Sequence, residues 1–302
     1  MVFEMETSDP DDFLTLLWLA DHPGIDLRGV LVTPGSQDQC RLVRWGLDQC
    51  GRSHVPIGTR HGSTWWETDD GKKKGRVSDF HYSVFGSEIR DHGTREVHDG
   101  PELLRDLLQQ STDMTVLVGA PPHGLGSCLE RFPHATLARW VQQGGFAGSN
   151  IVEHPLTKFK DRVTCPSWNV GGAWQETLFL LDSQKIGERI FVSKNVCHGA
   201  VWTQETHQVF LDLLPEDKSQ WRAGIRMLAI GFSSYLEKEK PKAMHDLLAA
   251  ACAVSEDVCD FSRVKIYRKK GEWGASLSGE PNARISVGVD LERFVEVLAR
   301  GS

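Results

Sequence analysis

Short apolar runs alternate along this chain with longer stretches of helical character, which predicts a repeated strand-helix-strand order. Met1 to Met5 reads as a buried strand. Pro10 suits the first helical position, because its missing N–H would be unpaired there anyway, and Asp9 before it can accept backbone N–H bonds as an N-cap. Phe13, Leu14, Leu16, Leu17, Trp18 and Ala20 make the next helix apolar almost all round, so it is expected to be buried between the sheet and its neighbours. His22-Pro23-Gly24 breaks that helix, and Ile25 to Val32 reads as a second strand. Thr33-Pro34-Gly35-Ser36 then leads into a helix from about Asp38 to Cys50 and a short strand near Val55 to Gly58.

The alternation fails over 59–100, where Gly, Lys, Asp and His dominate and Trp65-Trp66 and Phe80-His81-Tyr82 stand in polar surroundings. A long loop in a compact domain is usually functional or disordered, and the aromatics favour a lid or ligand wall. Regularity returns with a helix from about Pro101 to Gln110 and a strand at Met114 to Val118 that runs into Gly119. A helix near Leu125 to Arg131, a strand near Arg139 to Gln142 and the glycine cluster Gly144 to Gly148 follow. Further on come a helix from Ala173 to Asp182, a strand from Arg189 to Val192 and a prominent helix from Trp221 to Lys238. His245-Asp246 opens a helix from Leu247 to Ala253, strands are expected at Arg263 to Arg268 and Arg284 to Val287, and Leu291 to Arg300 is the closing helix. This order predicts an α/β fold with an open, mostly parallel, doubly wound sheet flanked by helices. Ligands of such a sheet bind beyond the carboxyl ends of its strands. No repeat, low-complexity tract or linker divides the 302 residues, so a single domain spanning 1–302 is expected.

Charge and cysteine content narrow the class. A net charge of -7 and a pI near 5.9 argue against a general nucleic-acid or membrane-surface binder, which needs clustered Lys and Arg. Lys72-Lys73-Lys74 is the notable basic run and reads as a solvated loop. The seven cysteines form no CxxC pair and are odd in number, which disfavours a disulfide framework or structural zinc and fits a reducing cytoplasm. No signal peptide or long apolar run indicates export or membrane insertion.

The candidate chemistry concentrates at the first strand-to-helix turn. Glu6, Asp9, Asp11 and Asp12 fall within one turn, an unfavourable packing unless a cation neutralises them or one carboxyl keeps its proton. A hard, oxygen-seeking ion such as calcium suits these ligands. The plainer reading is that Asp9 caps the helix while Asp11 and Asp12 complement its dipole in solvent.

The strand-end motifs, taken in order, resemble those of the nucleoside hydrolases, calcium-dependent enzymes that cleave N-ribosidic bonds. Asp11-Asp12 and the apolar helix match the second half of that family's opening Asp-x-Asp-Pro-Gly-x-Asp-Asp motif. Thr33 to Ser36 looks like its Val-Gly-Asn segment, with Ser36 in the asparagine's place. Leu117 to Gly124 is similar to its Gly-Pro-Leu-Thr-Asn turn, Gly144-Gly145-Phe146 to its Met-Gly-Gly strand end, and Trp168-Asn169 to its Glu-Phe-Asn. Val196-Cys197-His198 and His245 to Ala249 resemble its Thr-His and His-Asp-Pro-x-Ala motifs.

The resemblance implies that Asp12, Asp246 and the Gly119 carbonyl hold calcium, that Asp11 and Asn169 hold ribose hydroxyls, and that His245 faces the leaving base. It also implies dimers or tetramers. Thr7 falls where the family has its second Asp, a metal ligand and base, so Glu6 becomes the substitute base, with Asp9 closer to the metal. Ser167 replaces a ribose-binding glutamate. Trp168 could stack on a base, and His81 and Tyr82 are further base contacts. The leading expectation is hydrolysis of a nucleoside or related riboside at a calcium site. Two others stand beside it: a riboside-binding protein that kept the metal but lost catalysis, and a magnesium phosphohydrolase, which lacks any phosphate cradle in the sequence.

Overall fold

The computed structural model describes residues 1–60, 75–238 and 241–301. Its strands are β1 (Val2–Met5), β2 (Gly29–Val32), β3 (Ile57–Thr59), β4 (Val97–Asp99), β5 (Thr115–Val118), β6 (Leu137–Gln143), β7 (Thr164–Cys165), β8 (Ile186–Val192), β9 (Val201–Trp202), β10 (Lys242–Ala243), β11 (Cys259–Lys269), β12 (Glu272–Ser276) and β13 (Ala283–Val289). Eleven of them form one sheet in the order β4-β3-β2-β1-β5-β6-β8-β13-β11-β12-β7, and β9 pairs with β10 in a small second sheet. Pairing is parallel from β4 through β13 and antiparallel from β13 to β7. The protein is thus a single-domain α/β fold with a large, mostly parallel central sheet flanked by helices.

The helix Pro10–Asp21 is the buried one that its all-round apolar face predicts. Phe13, Leu14, Leu16, Leu17, Trp18 and Leu19 are almost wholly inaccessible. It packs against helices Ala223–Lys238, Asp246–Val254 and Gln37–Gln49. Burying side chains of this size contributes roughly 1.5–3 kcal/mol each relative to exposure. The helix also works through its acids. Asp21 Oδ2 accepts the N–H groups of Gly224 at 3.0 Å and Ile225 at 3.4 Å, so the end of one helix caps the start of another. Trp18 Nε1 donates to the Leu298 carbonyl at 3.0 Å, tying in the closing helix Leu291–Arg300.

Several expected elements change. Ile25 and Leu27 are buried but precede the second strand, which starts at Gly29 because its partner β1 starts only at Val2. The segment 59–100 is more regular than its polar composition predicts: helix Asp79–Phe85, a 3₁₀ turn at Ser87–Asp91 and the edge strand β4 lie within it. A three-residue strand is too short to carry an alternation signal. Trp65-Trp66 and Lys72 to Lys74 lie outside the described residues. Strand β12 escapes the apolar pattern, yet Lys270 and Gly271 both have positive φ in a two-residue turn joining β11 to β12, the backbone of a tight hairpin. No helix among the described residues is long and apolar enough to cross a membrane.

Glu4 is the one acid inside β1, fully buried, and it locks β1 to the element after β5. Its carboxyl accepts from the backbone N–H of Gly124 at 2.6 Å and Leu125 at 3.0 Å, in the first turn of helix His123–Arg131. Burial raises its pKa to about 7, against the lowering effect of these bonds. Because the folded value exceeds the ordinary one, its favourable contribution is complete below about pH 4.5 and is lost as pH rises toward 7. Glu4→Gln removes that dependence but faces an amide N–H₂ against backbone donors, so at pH 4 it should be less stable by about 1–2 kcal/mol. Urea unfolding should show the deficit shrinking between pH 4 and pH 7.5; a constant deficit would mean that Glu4 does not titrate in this window.

Candidate active site

The chain leaves β1 toward β2 on one side and returns through β5 on the other, so the carboxyl ends of β1 and β5 diverge into a crevice. The helix Pro10–Asp21 starts at one lip and Gly119 stands at the other. Between them opens a cavity of about 240 Å³. Its walls include Glu6, Asp9, Asp11, Asp12, Asn169 and Asp246, and also Ser8, Gly119, Gln143, Trp168 and His245. Residues far apart in sequence, most of them implied together by the family resemblance, thus meet in one place.

The acids of the first turn serve as caps and as cavity walls at once. Asp9 Oδ1 accepts the Asp11 N–H at 3.1 Å, and Asp12 Oδ2 accepts the Asp9 N–H at 3.3 Å, a reciprocal capping box. Asp11 reaches further. Its Oδ2 accepts the N–H groups of His245 at 2.7 Å and Asp246 at 3.0 Å, so it caps helix Asp246–Val254, whose own N-cap residue His245 provides no side-chain cap. Lys242 Nζ, on β10, lies 2.7 Å from Asp9 Oδ1 and 3.5 Å from Asp11 Oδ1. Burial acts to raise the Asp11 pKa, but Lys242, Asp9 and the two N–H donors outweigh it and hold the carboxyl below its ordinary value. Asp9 goes the other way: burial and Asp11 raise it despite Lys242.

Asp12 and Asp246 form the deeper pair. Burial, first of all, pushes both well above the usual carboxylate range, and the charge of Asp12 adds to this at Asp246. Asp246 Oδ2 is buried with no hydrogen-bond partner. A Cβ at Gly119 would lie 2.3 Å from this oxygen, so only glycine lets the β5 end approach Asp246 so closely. Asn169 Nδ2 donates to the Gly119 carbonyl at 3.0 Å and to Gln143 Oε1 at 2.7 Å, which fixes the far wall. Among the described residues no three His, Cys, Asp or Glu side chains converge as a ready metal site. What the floor offers is two carboxyls, one of them with an unpartnered oxygen, and a backbone carbonyl. That all-oxygen set suits a hard divalent cation.

Glu6 and Trp168 close the mouth. Trp168 is 76% exposed, and its Nε1 donates to Glu6 Oε2 at 3.2 Å. Burial raises the Glu6 pKa, and the Trp168 bond lowers it. Beyond Trp168 a second compartment of about 430 Å³ shares Glu6, Ser8 and Trp168 with the first. Thr7 points away: it is buried, and its hydroxyl donates to the Arg76 carbonyl at 3.2 Å. His245 faces the cavity, and burial, then Lys242, lowers its pKa to about 4, so it is a neutral imidazole near pH 7.

Two predicted substrate contacts lie elsewhere. His81 is wholly buried and packs edge-on against Phe13, with ring centroids 5.0 Å apart, so it is a core residue behind the first helix. Ser36 is the N-cap of helix Gln37–Gln49 and donates to the Gly75 carbonyl at 2.6 Å, outside the lining of the acidic cavity. Lys242 and Gln143 carry no motif, and sequence reading misses them. Lys242 follows a charged stretch of ordinary surface composition, and only the β9 pairing, Lys242 opposite Trp202, turns it inward.

No family model matches the chain. An uncharacterized protein of Aquifex aeolicus (strain VF5) is 28% identical to it, with 97% of this chain and 95% of that protein covered. Among solved structures, an inosine-uridine preferring nucleoside hydrolase of Bacillus anthracis aligns with a TM-score of 0.69 at 16% identity over 99% of this chain and 97% of that one. A plant nucleoside hydrolase gives 0.67 at 16% identity over 99% and 97%. A purine-preferring ribonucleoside hydrolase of Gardnerella vaginalis gives 0.64 at 15% identity over 100% and 99%. The likeness establishes the fold, which is that of the nucleoside hydrolases.

Removing Lys242 tests the electrostatics of the floor. Lys242→Met leaves Asp9 and Asp11 without their cation and should cost about 3 kcal/mol of stability at pH 7, as when one partner of a buried pair is deleted. The folded Asp11 pKa is lowered, so its stabilisation is present above the ordinary carboxylate pKa and is lost as pH falls through the folded value. Denaturant unfolding should therefore show the Lys242→Met deficit narrowing from pH 7 to pH 3.5. An equal deficit at both would contradict the ion-pair account.

Proposed function

We propose that the protein hydrolyses the N-glycosidic bond of a nucleoside or related riboside, with calcium as its metal. The observation that carries this is the acidic cavity at the switch point of a nucleoside-hydrolase fold, with the unpartnered Asp246 Oδ2 beside Asp12 and the Gly119 carbonyl on its floor. Asp12, Asp246 and that carbonyl would hold the ion, with Asp9 at the edge of the set. Calcium there supplies positive charge that orients the sugar hydroxyls and offsets the mutual repulsion of the acids.

The chain's own groups account for the rest. Asn169 and Asp11 border the place of the ribose ring hydroxyls, although most acceptor capacity of Asp11 is taken by His245, Asp246 and Lys242. The exposed Trp168 offers a stacking face for a base. Water adds to the anomeric carbon as the bond to the base breaks, and positive charge develops on the sugar, which the acidic walls stabilise. Glu6 takes the water's proton. Burial raises the pKa of both, but Asp9 is pinned by a capping bond and by Lys242, whereas Glu6 has one hydrogen bond among the described residues, from Trp168, and is freer to act as a base. The base departs as an anion that accepts a hydrogen bond from His245, neutral in the free protein, and the proton taken by Glu6 returns through solvent to that anion, so free base and free sugar leave.

One observation favours a second reading, a riboside-binding protein without catalysis: Thr7, in register with a catalytic Asp of the resembling family, turns its hydroxyl to the Arg76 carbonyl and brings no carboxylate to the cavity.

Chromatography of a nucleoside panel incubated with calcium tests both. The wild type should release free base; Glu6→Gln should lower turnover by about 10²- to 10⁴-fold and Asp9→Asn by less. His245→Ala should lose much more on nucleosides than on a nitrophenyl riboside, whose leaving group needs no proton. Activity kept in Glu6→Gln and lost in Asp9→Asn would move the base to Asp9. Ribose binding with no base released from any nucleoside would leave the binding protein.

A further inference from the structure

Around His198, whose ring packs on that of His245, lies a group of cations that the reading above does not use. Lys158 lies in the 3₁₀ turn Thr157–Phe159, Lys194 opens the helical turn Lys194–Cys197 after β8, and His198 follows it. Lys158 Nζ is 2.7 Å from His198 Nδ1. An ammonium can only donate, so this contact makes Nδ1 the acceptor and leaves the proton of the neutral ring on Nε2. Both ammonium groups flank one aromatic ring, 5.2 Å and 5.9 Å from the Phe159 centroid for Lys158 and Lys194. Neither has a carboxylate partner among the described residues: Lys158 meets His198, and Lys194 donates to the Pro166 carbonyl at 2.9 Å.

This ledge adjoins the cavity on two sides. The His198 ring stands 4.9 Å from that of His245, a cavity wall. Pro166, which Lys194 holds, begins the stretch Pro166-Ser167-Trp168-Asn169, whose last two residues are cavity walls and which bears no acid. Of the groups around His198, Lys158 and Lys194 carry the positive charge, since Lys242 is paired with Asp9 and Asp11 and His245 is neutral near pH 7. Two ammonium groups on one ring, neither with a carboxylate partner among the described residues, make a positive face that an anion can join. The second compartment is a weaker candidate, because Arg76 already pairs with Asp79 at 3.9 Å and His123 with Glu176 at 2.9 Å.

We propose that Lys158, Lys194 and the Nε2–H of His198 form an anion subsite beside the sugar cavity that takes a phosphate carried by the substrate. This rests on the proposed riboside hydrolysis and names its substrate class. A 5′-phosphate leaves both ring hydroxyls of the sugar free for the acidic floor, so the substrate class is a riboside 5′-phosphate. Two ammonium groups and an imidazole N–H supply charge-assisted bonds to its oxygens.

The experiment compares the full chain with the Lys158→Ala/Lys194→Ala double variant on nucleosides and their 5′-monophosphates, with calcium present. The wild type should prefer the monophosphate by roughly 10- to 10²-fold in kcat/KM, and the double variant should bring that ratio close to one through KM. Equal wild-type kcat/KM for both forms, or a ratio unchanged in the double variant, overturns the subsite. Should neither form be cleaved, the hydrolase reading fails, and calorimetry with ribose 5-phosphate, ribose and inorganic phosphate decides the subsite alone. Ribose 5-phosphate bound more tightly than both others, and weakened in the double variant, upholds it. Inorganic phosphate bound as tightly as ribose 5-phosphate assigns the ledge to free phosphate and overturns the substrate claim.

Discussion

Asp11 is a buried carboxylate with three cationic or donor partners drawn from distant parts of the chain, and the geometry of the crevice depends on it. Burying a lone carboxylate is costly, so its oxygens must be satisfied. Here the N–H groups of His245 and Asp246 and the ammonium of Lys242 do so. The same bonds give helix Asp246–Val254 the cap that its own sequence lacks. With Asp21 capping helix Ala223–Lys238, the first helix anchors two others by its two ends. Asp246 is held beside Asp12 because Asp11, one residue away from Asp12, fixes where that helix starts.

This explains why capping and chemistry need not compete in the acidic turn. Asp9 and Asp12 form a capping box and still line the cavity, so the plain reading of the motif and the functional one describe the same atoms. Lys242 tempers the negative charge at the solvent side, and the deeper Asp12 and Asp246 keep an unpartnered oxygen between them. The floor thus grades from an internally neutralised rim to a deep pair of carboxyls whose raised pKa a hard cation would offset.

Much of this was legible in the sequence because the carriers are local. The strand-to-helix turns after β1 and β5 follow from apolar runs ended by Pro and Gly, and the fully apolar face of Phe13 to Ala20 does place that helix in the core. What was not legible is what tertiary pairing decides. Lys242 reads as surface until β10 pairs with β9. His81, in a polar segment, reads as a ligand contact but packs on Phe13, because helix Asp79–Phe85 sets both His81 and Phe85 against that ring. Ser36 reads as a substrate contact by its place in a motif, whereas its short side chain is spent on the cap of the next helix. Glu4, an acid in an apolar run, gave no sign that it would bond the helix after β5.

On the proposed function, the crevice between β1 and β5 holds calcium and a ribosyl group together. A crystal structure of the protein soaked with calcium and ribose measures this most directly. One ion should lie in contact with Asp12, Asp246 and the Gly119 carbonyl, with the ring hydroxyls of ribose bound over it between Asp11 and Asn169. An ion on other residues, or ribose bound away from these acids, would contradict it.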